Sequence, residues 1–183
     1  LDAYDVIVLS DIGTNSFLLP TETWLQGKSM PNRLTLLAEW VKGGGALIMA
    51  GGYLSFQGFE AKARFAGTAV EEVLPVTCYT HDDRAETPEG AVPVINDAAH
   101  PVLAGVPSGM PALLGYNRVQ LKSGATLIAS VNGDPLIAAS QVGKGRTLVW
   151  TSDIGPHWCP EPFVKWEGFA PLMANMINWV AGK

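Results

Sequence analysis

Short apolar runs punctuated by glycine and polar clusters set the pattern of the N-terminal part of the chain. Residues 6–9 (Val-Ile-Val-Leu) are apolar and largely β-branched, which predicts a buried strand, and Ser10-Asp11-Ile12-Gly13 ends it. Residues 14–16 are polar, and Phe17-Leu18-Leu19 stops at Pro20, so 14–20 reads as a loop packed against the body. A helix start follows at Ser29-Met30-Pro31-Asn32, with proline in the first turn. Leu34, Leu37, Ala38 and Val41 then recur at i, i+3, i+4 and i+7, one apolar helical face. Lys42 suits the negative end of the helix dipole, and Gly43-Gly44-Gly45 stops the helix. Residues 46–50 form a second continuous apolar run bounded by glycines, as in a strand covered on both faces. Strand, helix and strand make a βαβ unit. Gly51-Gly52-Tyr53 then predicts a sharp turn whose backbone can approach a ligand without a Cβ in the way. Ligands of open α/β sheets bind just outside the carboxyl ends of the strands, which places the expected site at this turn.

The pattern weakens afterwards. Residues 59–65 and 68–74 read as two short helical pieces closed by Pro75, and 76–80 as an edge strand. Residues 81–90 are the most polar segment and predict an exposed loop; 92–95 predict a short strand, and 97–103 a capped helical turn that His100 serves. Strands are predicted over 118–121, 125–131, 135–141 and 146–151, with hairpin signals at Asn132-Gly133-Asp134 and Gly143-Lys144-Gly145. Phe169, Leu172, Met173, Met176, Ile177 and Val180 mark a last amphipathic helix. The expected architecture is α/β: one domain over 1–183 with a mostly parallel central sheet and an antiparallel C-terminal extension.

Composition narrows the function classes. The chain is 48% hydrophobic and 16% charged, enough for a substantial core, and its net charge of -5 with no basic cluster argues against nucleic acid. No run of about 18 apolar residues exists that would span a membrane, and Leu1-Asp2-Ala3-Tyr4-Asp5 lacks the basic flank of a signal peptide. Cys78 and Cys159 lie far apart, in no metal-ligand spacing, which fits free buried thiols in a reducing compartment, with a disulfide as the alternative. A cytoplasmic protein is expected. The chain enters a strand almost at once without an initiator Met, so upstream sequence, including a further N-terminal βαβ unit, is also expected.

One internal echo bears on chemistry. Ser-Asp-Ile-Gly follows both residues 6–9 and residues 148–151. If those two strands flank the glycine-turn strand, Asp11 and Asp153 share one edge beside Gly51 and Gly52. Each Asp either makes an Asx turn or lines a polar pocket. Ser55 is either a nucleophile or a helix cap. His157 is either a base at the strand ends or a ring packed among Trp158, Phe163 and Trp166. His81, Asp82 and Asp83 could ligate a metal only if a flexible loop converged on it; no metal and no cofactor is expected. Gly27-Lys28-Ser29 fails as a phosphate loop because position 22 is Glu, and Gly43-Gly44-Gly45 fails as a dinucleotide fingerprint because position 48 is Ile.

With these residues in view, the chain resembles the class I glutamine amidotransferase-like superfamily, and within it the bacterial branch called putative glutamine amidotransferases. The resemblance rests on Tyr4-Asp5-Val6-Ile7-Val8-Leu9-Ser10-Asp11, on residues 43–52, on His100-Pro101-Val102-Leu103, on Gly143-Lys144-Gly145-Arg146 and on residues 152–158. It implies a flavodoxin-like three-layer sandwich. Active members use a Cys at the elbow, with a late His-x-Glu whose His is the base. Here the elbow carries Tyr53, and His157 is followed two residues on by Cys159, with Glu161 two further.

The expected function is therefore an amidotransferase-like domain without glutaminase chemistry, a pseudoenzyme that binds a small polar molecule. Asp11, Gly51, Gly52, Tyr53, Asp153 and Trp158 would line the pocket, with His157 as the one catalytic candidate. The alternatives are a hydrolase in which Asp11, Asp153 or Ser55 supports His157, and an assembly module whose Trp24, Trp158 and Trp166 form a homo-oligomer face.

Overall fold

The computed structural model describes residue 1 and residues 3–183. Ten strands run in chain order: β1 (Val6–Ser10), β2 (Ala46–Ala50), β3 (Val76–Cys78), β4 (Arg84–Ala91), β5 (Val94–Ile95), β6 (Leu113–Asn117), β7 (Val119–Leu121), β8 (Thr126–Val131), β9 (Asp134–Val142) and β10 (Gly145–Trp150). The helices are α1 (Asn15–Leu18), α2 (Thr21–Gln26), α3 (Arg33–Gly43), α4 (Ala69–Val73), α5 (Glu161–Val164) and α6 (Phe169–Val180).

The main sheet has six strands in the order β1-β2-β10-β9-β8-β5. β2 is parallel to both β1 and β10, with Ala50 opposite Ser10 on one side and Trp150 on the other. The remaining three pairings are antiparallel, so the sheet is mixed and not the mostly parallel sheet expected. The reason is turn length. β8 and β9 are joined by Asn132-Gly133, both at positive φ (50° and 87°), and β9 and β10 by Gly143-Lys144. Two-residue turns can only connect antiparallel neighbours, whereas parallel ones need a long crossover such as α3.

Side-chain alternation on β2 divides the core. Leu47 and Met49 pack with Leu34, Leu37, Ala38 and Val41 of α3 on one face. Ala46, Ile48 and Ala50 pack with Leu172, Met176 and Val180 of α6 on the other. All five β2 residues are buried, which is why no polar position interrupts the run. The α3 start is capped by Asn32, whose Oδ1 accepts from the N–H groups of Leu34 (3.0 Å) and Thr35 (3.3 Å). Gly44, at φ 129°, ends it.

Several segments differ from the sequence reading. Residues 14–20, expected as a loop, hold α1 and end at Pro20, the residue that precedes α2. The helix expected at 59–65 is a single 3-10 turn, Phe59–Ala61, because Glu60, Ala61 and Arg64 take left-handed backbone angles. The loop expected at 81–90 is largely β4, paired with the unforeseen strand β6. Its polar sequence, Arg-Ala-Glu-Thr-Pro-Glu-Gly, hides a strand whose inward positions are Thr87 and Ala91. Among the described residues, no helix is long and apolar enough to cross a membrane.

Candidate functional site

The echo of Ser-Asp-Ile-Gly has a structural basis. β1 and β10 do flank β2, so Asp11 and Asp153 emerge at the same edge, on either side of the glycine turn. Between them opens a cleft of about 550 Å³ lined by Ser10, Asp11, Tyr53, Asp153, His157 and the Ile154-Gly155-Pro156 loop.

Each wall residue is held by bonds that the fold supplies. Asp11 has a left-handed backbone (φ 49°). Its N–H donates to Ser55 Oγ (3.1 Å), and its Oδ1 accepts from the Leu54 N–H (2.6 Å). Ser55 is buried, and its hydroxyl accepts that bond and caps no helix. Asp153 Oδ2 accepts the Trp158 N–H (3.0 Å) and lies 3.4 Å from His157 Nδ1. Burial raises the Asp153 carboxyl above the usual range; the Trp158 N–H and His157 oppose that rise, and the Asp11 charge adds to it. His157 is exposed and packs against Tyr53 edge-on at 5.4 Å.

The glycines are structural requirements of the turn. A Cβ on Gly51 would sit 2.1 Å from the Thr151 carbonyl oxygen, and one on Gly52, at φ 143°, would sit 2.8 Å from Asp11 Oδ1. Both glycines are buried and lie behind the cleft wall. Trp158, expected on the wall, is completely buried as well. Its indole N–H donates to Glu86 Oε2 (2.9 Å), while the Tyr53 hydroxyl donates to Glu86 Oε1 (3.0 Å). An oligomer face built on Trp158 is excluded by the same burial. Of the three tryptophans named for that face, only Trp24 is exposed; Trp166 is half-buried.

Residues 84 and 86 were missed by the sequence reading. They sit two apart on β4, so they share one side. The Arg84 guanidinium lies over the Tyr53 and Phe59 rings, at 4.6 and 4.5 Å from the centroids. It also pairs with Asp82 through Nε (3.0 Å) and Nη2 (2.9 Å). Asn117 was missed too, and Asp83 was weighed only as a metal ligand. Asp83 accepts the N–H groups of Gln57 (2.8 Å) and Gly58 (2.9 Å). Asn117 donates to Asp83 Oδ1 (2.8 Å) and accepts from the Gly52 N–H (2.9 Å). Burial pushes the Asp83 carboxyl up, against the pull of those donors. Only a strand reading of residues 84–91 could have shown the pairing of positions 84 and 86. The 83–117 bond has no local sequence signal.

His81, Asp82 and Asp83 do not converge. Asp83 turns inward to the loop, Asp82 holds Arg84, and His81 packs on Tyr79 at 5.0 Å. Among the described residues, no group of three or more His, Cys, Asp and Glu side chains is placed to hold a metal ion.

The elbow carries no thiol, and the thiols elsewhere are enclosed. Cys78 and Cys159 are free and buried. Burial pushes Cys78 far up and Cys159 up to about 12.

Comparison with known proteins places this geometry in a family. A family model described as "Putative glutamine amidotransferase" matches residues 1–182. Two cytoplasmic proteins of Salmonella typhimurium are similar throughout. STM3548 superposes with a TM-score of 0.95 at 43% identity, over 98% of this chain and 73% of that one. STM1381 (strain LT2) superposes at 0.94 and 41%, over 97% and 72%. A putative thua-like protein from Parabacteroides merdae, at TM-score 0.61 and 13% identity over 100% of this chain and 72% of that one, shares the fold alone. No curated protein matches. The chain thus belongs to the putative glutamine amidotransferase family.

Proposed function

We propose that this domain binds a small polar molecule in the cleft between Asp11 and Asp153 and has no glutaminase activity. The observation that carries the reading is the elbow itself. Where a nucleophilic thiol would stand, Tyr53 presents a ring and a hydroxyl already bonded to Glu86. The cleft then offers acceptors and one imidazole: the carboxylates of Asp11 and Asp153, and His157. Such a set suits a ligand rich in donors, an amine or a polyol, with the Tyr53 ring as a platform. The flavodoxin-like sandwich, a cytoplasmic location and homo-oligomer formation belong to the same reading. The two Salmonella proteins support the location by their description, and exposed Trp24 and Leu25 on α2 support an assembly contact.

A second reading rests on the 3.4 Å approach of His157 Nδ1 to Asp153. An imidazole oriented by a carboxylate can serve as a general base for water, which would make the domain a hydrolase.

Two assays on the full-length protein separate these. Ammonia release from glutamine is expected to stay at the buffer background. Thermal shift against amines, amino acids and sugars is expected to give hits that Asp153→Asn and His157→Ala both abolish, since a bound ligand raises stability by about 2.7 kcal/mol at a hundredfold excess over Kd. Glutamine turnover would sink the proposal. Ester or amide turnover lost in His157→Ala would favour the hydrolase.

A further inference from the structure

A second cavity, of about 660 Å³, opens on the other side of the loop that follows the elbow, between that loop and the turn after β1. Leu54 links the two sites. Its N–H binds Asp11 of the first cleft, and the residue lines the second cavity. The chemistry of the two differs. The first presents carboxylates; the second presents donors and cations.

Gln57 is the most informative residue there. It is 7% exposed and held at three points. Its N–H donates to Asp83 Oδ2, its carbonyl accepts the Ala63 N–H (3.0 Å), and its side-chain Oε1 accepts the Ala66 N–H (3.3 Å). That last bond fixes which end of the amide is oxygen. The Nε2 group then has no hydrogen-bond partner among the described residues. Since no fully enclosed side-chain nitrogen is left unpaired there, Nε2 is reachable from solvent, and Gln57 is one of the residues lining the cavity. An accessible N–H₂ with no protein acceptor, on a side chain whose other end is held, is a donor free for a ligand's acceptor.

The surroundings agree in sign. Arg64 lines the same cavity, and no carboxylate pairs with it among the described residues. Lys62 is there too, ion-paired with Glu60, so the ionised side chains of the lining are two cations and one carboxylate. Ser16 and Thr80 add hydroxyls. In a chain of net charge -5, this local excess of donors stands out.

We propose that this cavity is a second ligand site, for a small anion carrying a carboxylate or phosphate group. Arg64 supplies the charge, in the planar fork that suits either oxyanion, and Gln57 Nε2 supplies a fixed donor.

The test is isothermal titration of the full-length protein with inorganic phosphate and, separately, with citrate, each at ionic strength matched with sodium chloride. Saturable binding of at least one is expected, and which one binds names the oxyanion. Arg64→Gln is expected to weaken it at least tenfold. Gln57→Glu keeps the acceptor for the Ala66 N–H, replaces the donor by a carboxylate, and is expected to abolish binding. Asp153→Asn, in the first cleft, should leave it unchanged, so failure here and failure of the proposed function are read separately. Absence of saturable binding for both anions, or wild-type affinity in Arg64→Gln, overturns the proposal. So does binding that Asp153→Asn removes and Arg64→Gln does not.

Discussion

Trp158 donates its buried indole N–H to the Glu86 carboxylate at 2.9 Å, across 72 residues of sequence. The same carboxylate takes the Tyr53 hydroxyl. Glu86 therefore ties the elbow ring, the buried tryptophan and strand β4 into one unit, of which Tyr53 lines the first cleft. Gly115 makes room for the tryptophan: a Cβ there would lie 2.3 Å from the indole.

Loss of this tie should be visible in stability. Glu86→Ala leaves the Trp158 N–H buried without a partner, which is expected to cost about 1–3 kcal/mol in urea unfolding. Trp158→Phe removes donor and need together, so in the Glu86→Ala background it should recover part of that cost. A double-mutant cycle with no coupling would contradict the role given to Glu86.

Asn117 is expected to be costlier. Asn117→Ala strips the Gly52 N–H of its acceptor and Asp83 of one donor, both in the buried region behind the turn. A loss of about 3 kcal/mol or more is expected by chemical denaturation. A near-neutral variant would mean the bridge contributes nothing net.

The two turn glycines should rank differently. Gly51→Ala drives a methyl into backbone atoms of residues 151 and 152, which the central sheet cannot move. Gly52→Ala meets the Asp11 side chain, which can rotate away. Gly51→Ala is expected to yield little folded protein, and Gly52→Ala a folded but destabilised one. Circular dichroism melts of the two, made in parallel, decide it.

Thiol chemistry checks the absence of a nucleophile. With Ellman's reagent the native protein should show neither Cys78 nor Cys159 reacting on a minutes timescale, and both should react in guanidinium chloride. A fast native thiol would reopen cysteine catalysis.

Asp82 gives a pH signature. The Arg84 guanidinium holds its carboxyl at about 2, against an ordinary 3.8 in the unfolded chain. A lowered folded-state value means that the stabilisation is fully present above about pH 4 and is lost as pH falls through about 2. Asp82→Asn should therefore lower Tm at pH 7, and the gap to wild type should narrow between pH 4 and pH 2. A gap independent of pH would show that the Asp82 charge contributes nothing.

The sequence by itself determined the elements whose cause is local. α3 follows from its apolar spacing, the Asn32 cap and the glycine stop; β2 from an unbroken apolar run; the meander from Asn132-Gly133 and Gly143-Lys144; α6 from its amphipathic period. The placing of Asp11 and Asp153 at one sheet edge, on either side of β2, was legible because the same four residues end both flanking strands. Tertiary structure alone decided the rest. The docking of the meander on the sheet, through the parallel pairing of β10 with β2, is long-range, and no residue pattern encodes it. β4 escaped notice because its neighbours, and not its own polar residues, make it a strand. The roles of Glu86, Asp83, Asn117 and Gln57 rest on hydrogen bonds spanning 9 to 72 residues. Such bonds form where the packed core delivers two groups to one place, and a single chain read in order carries no record of that meeting.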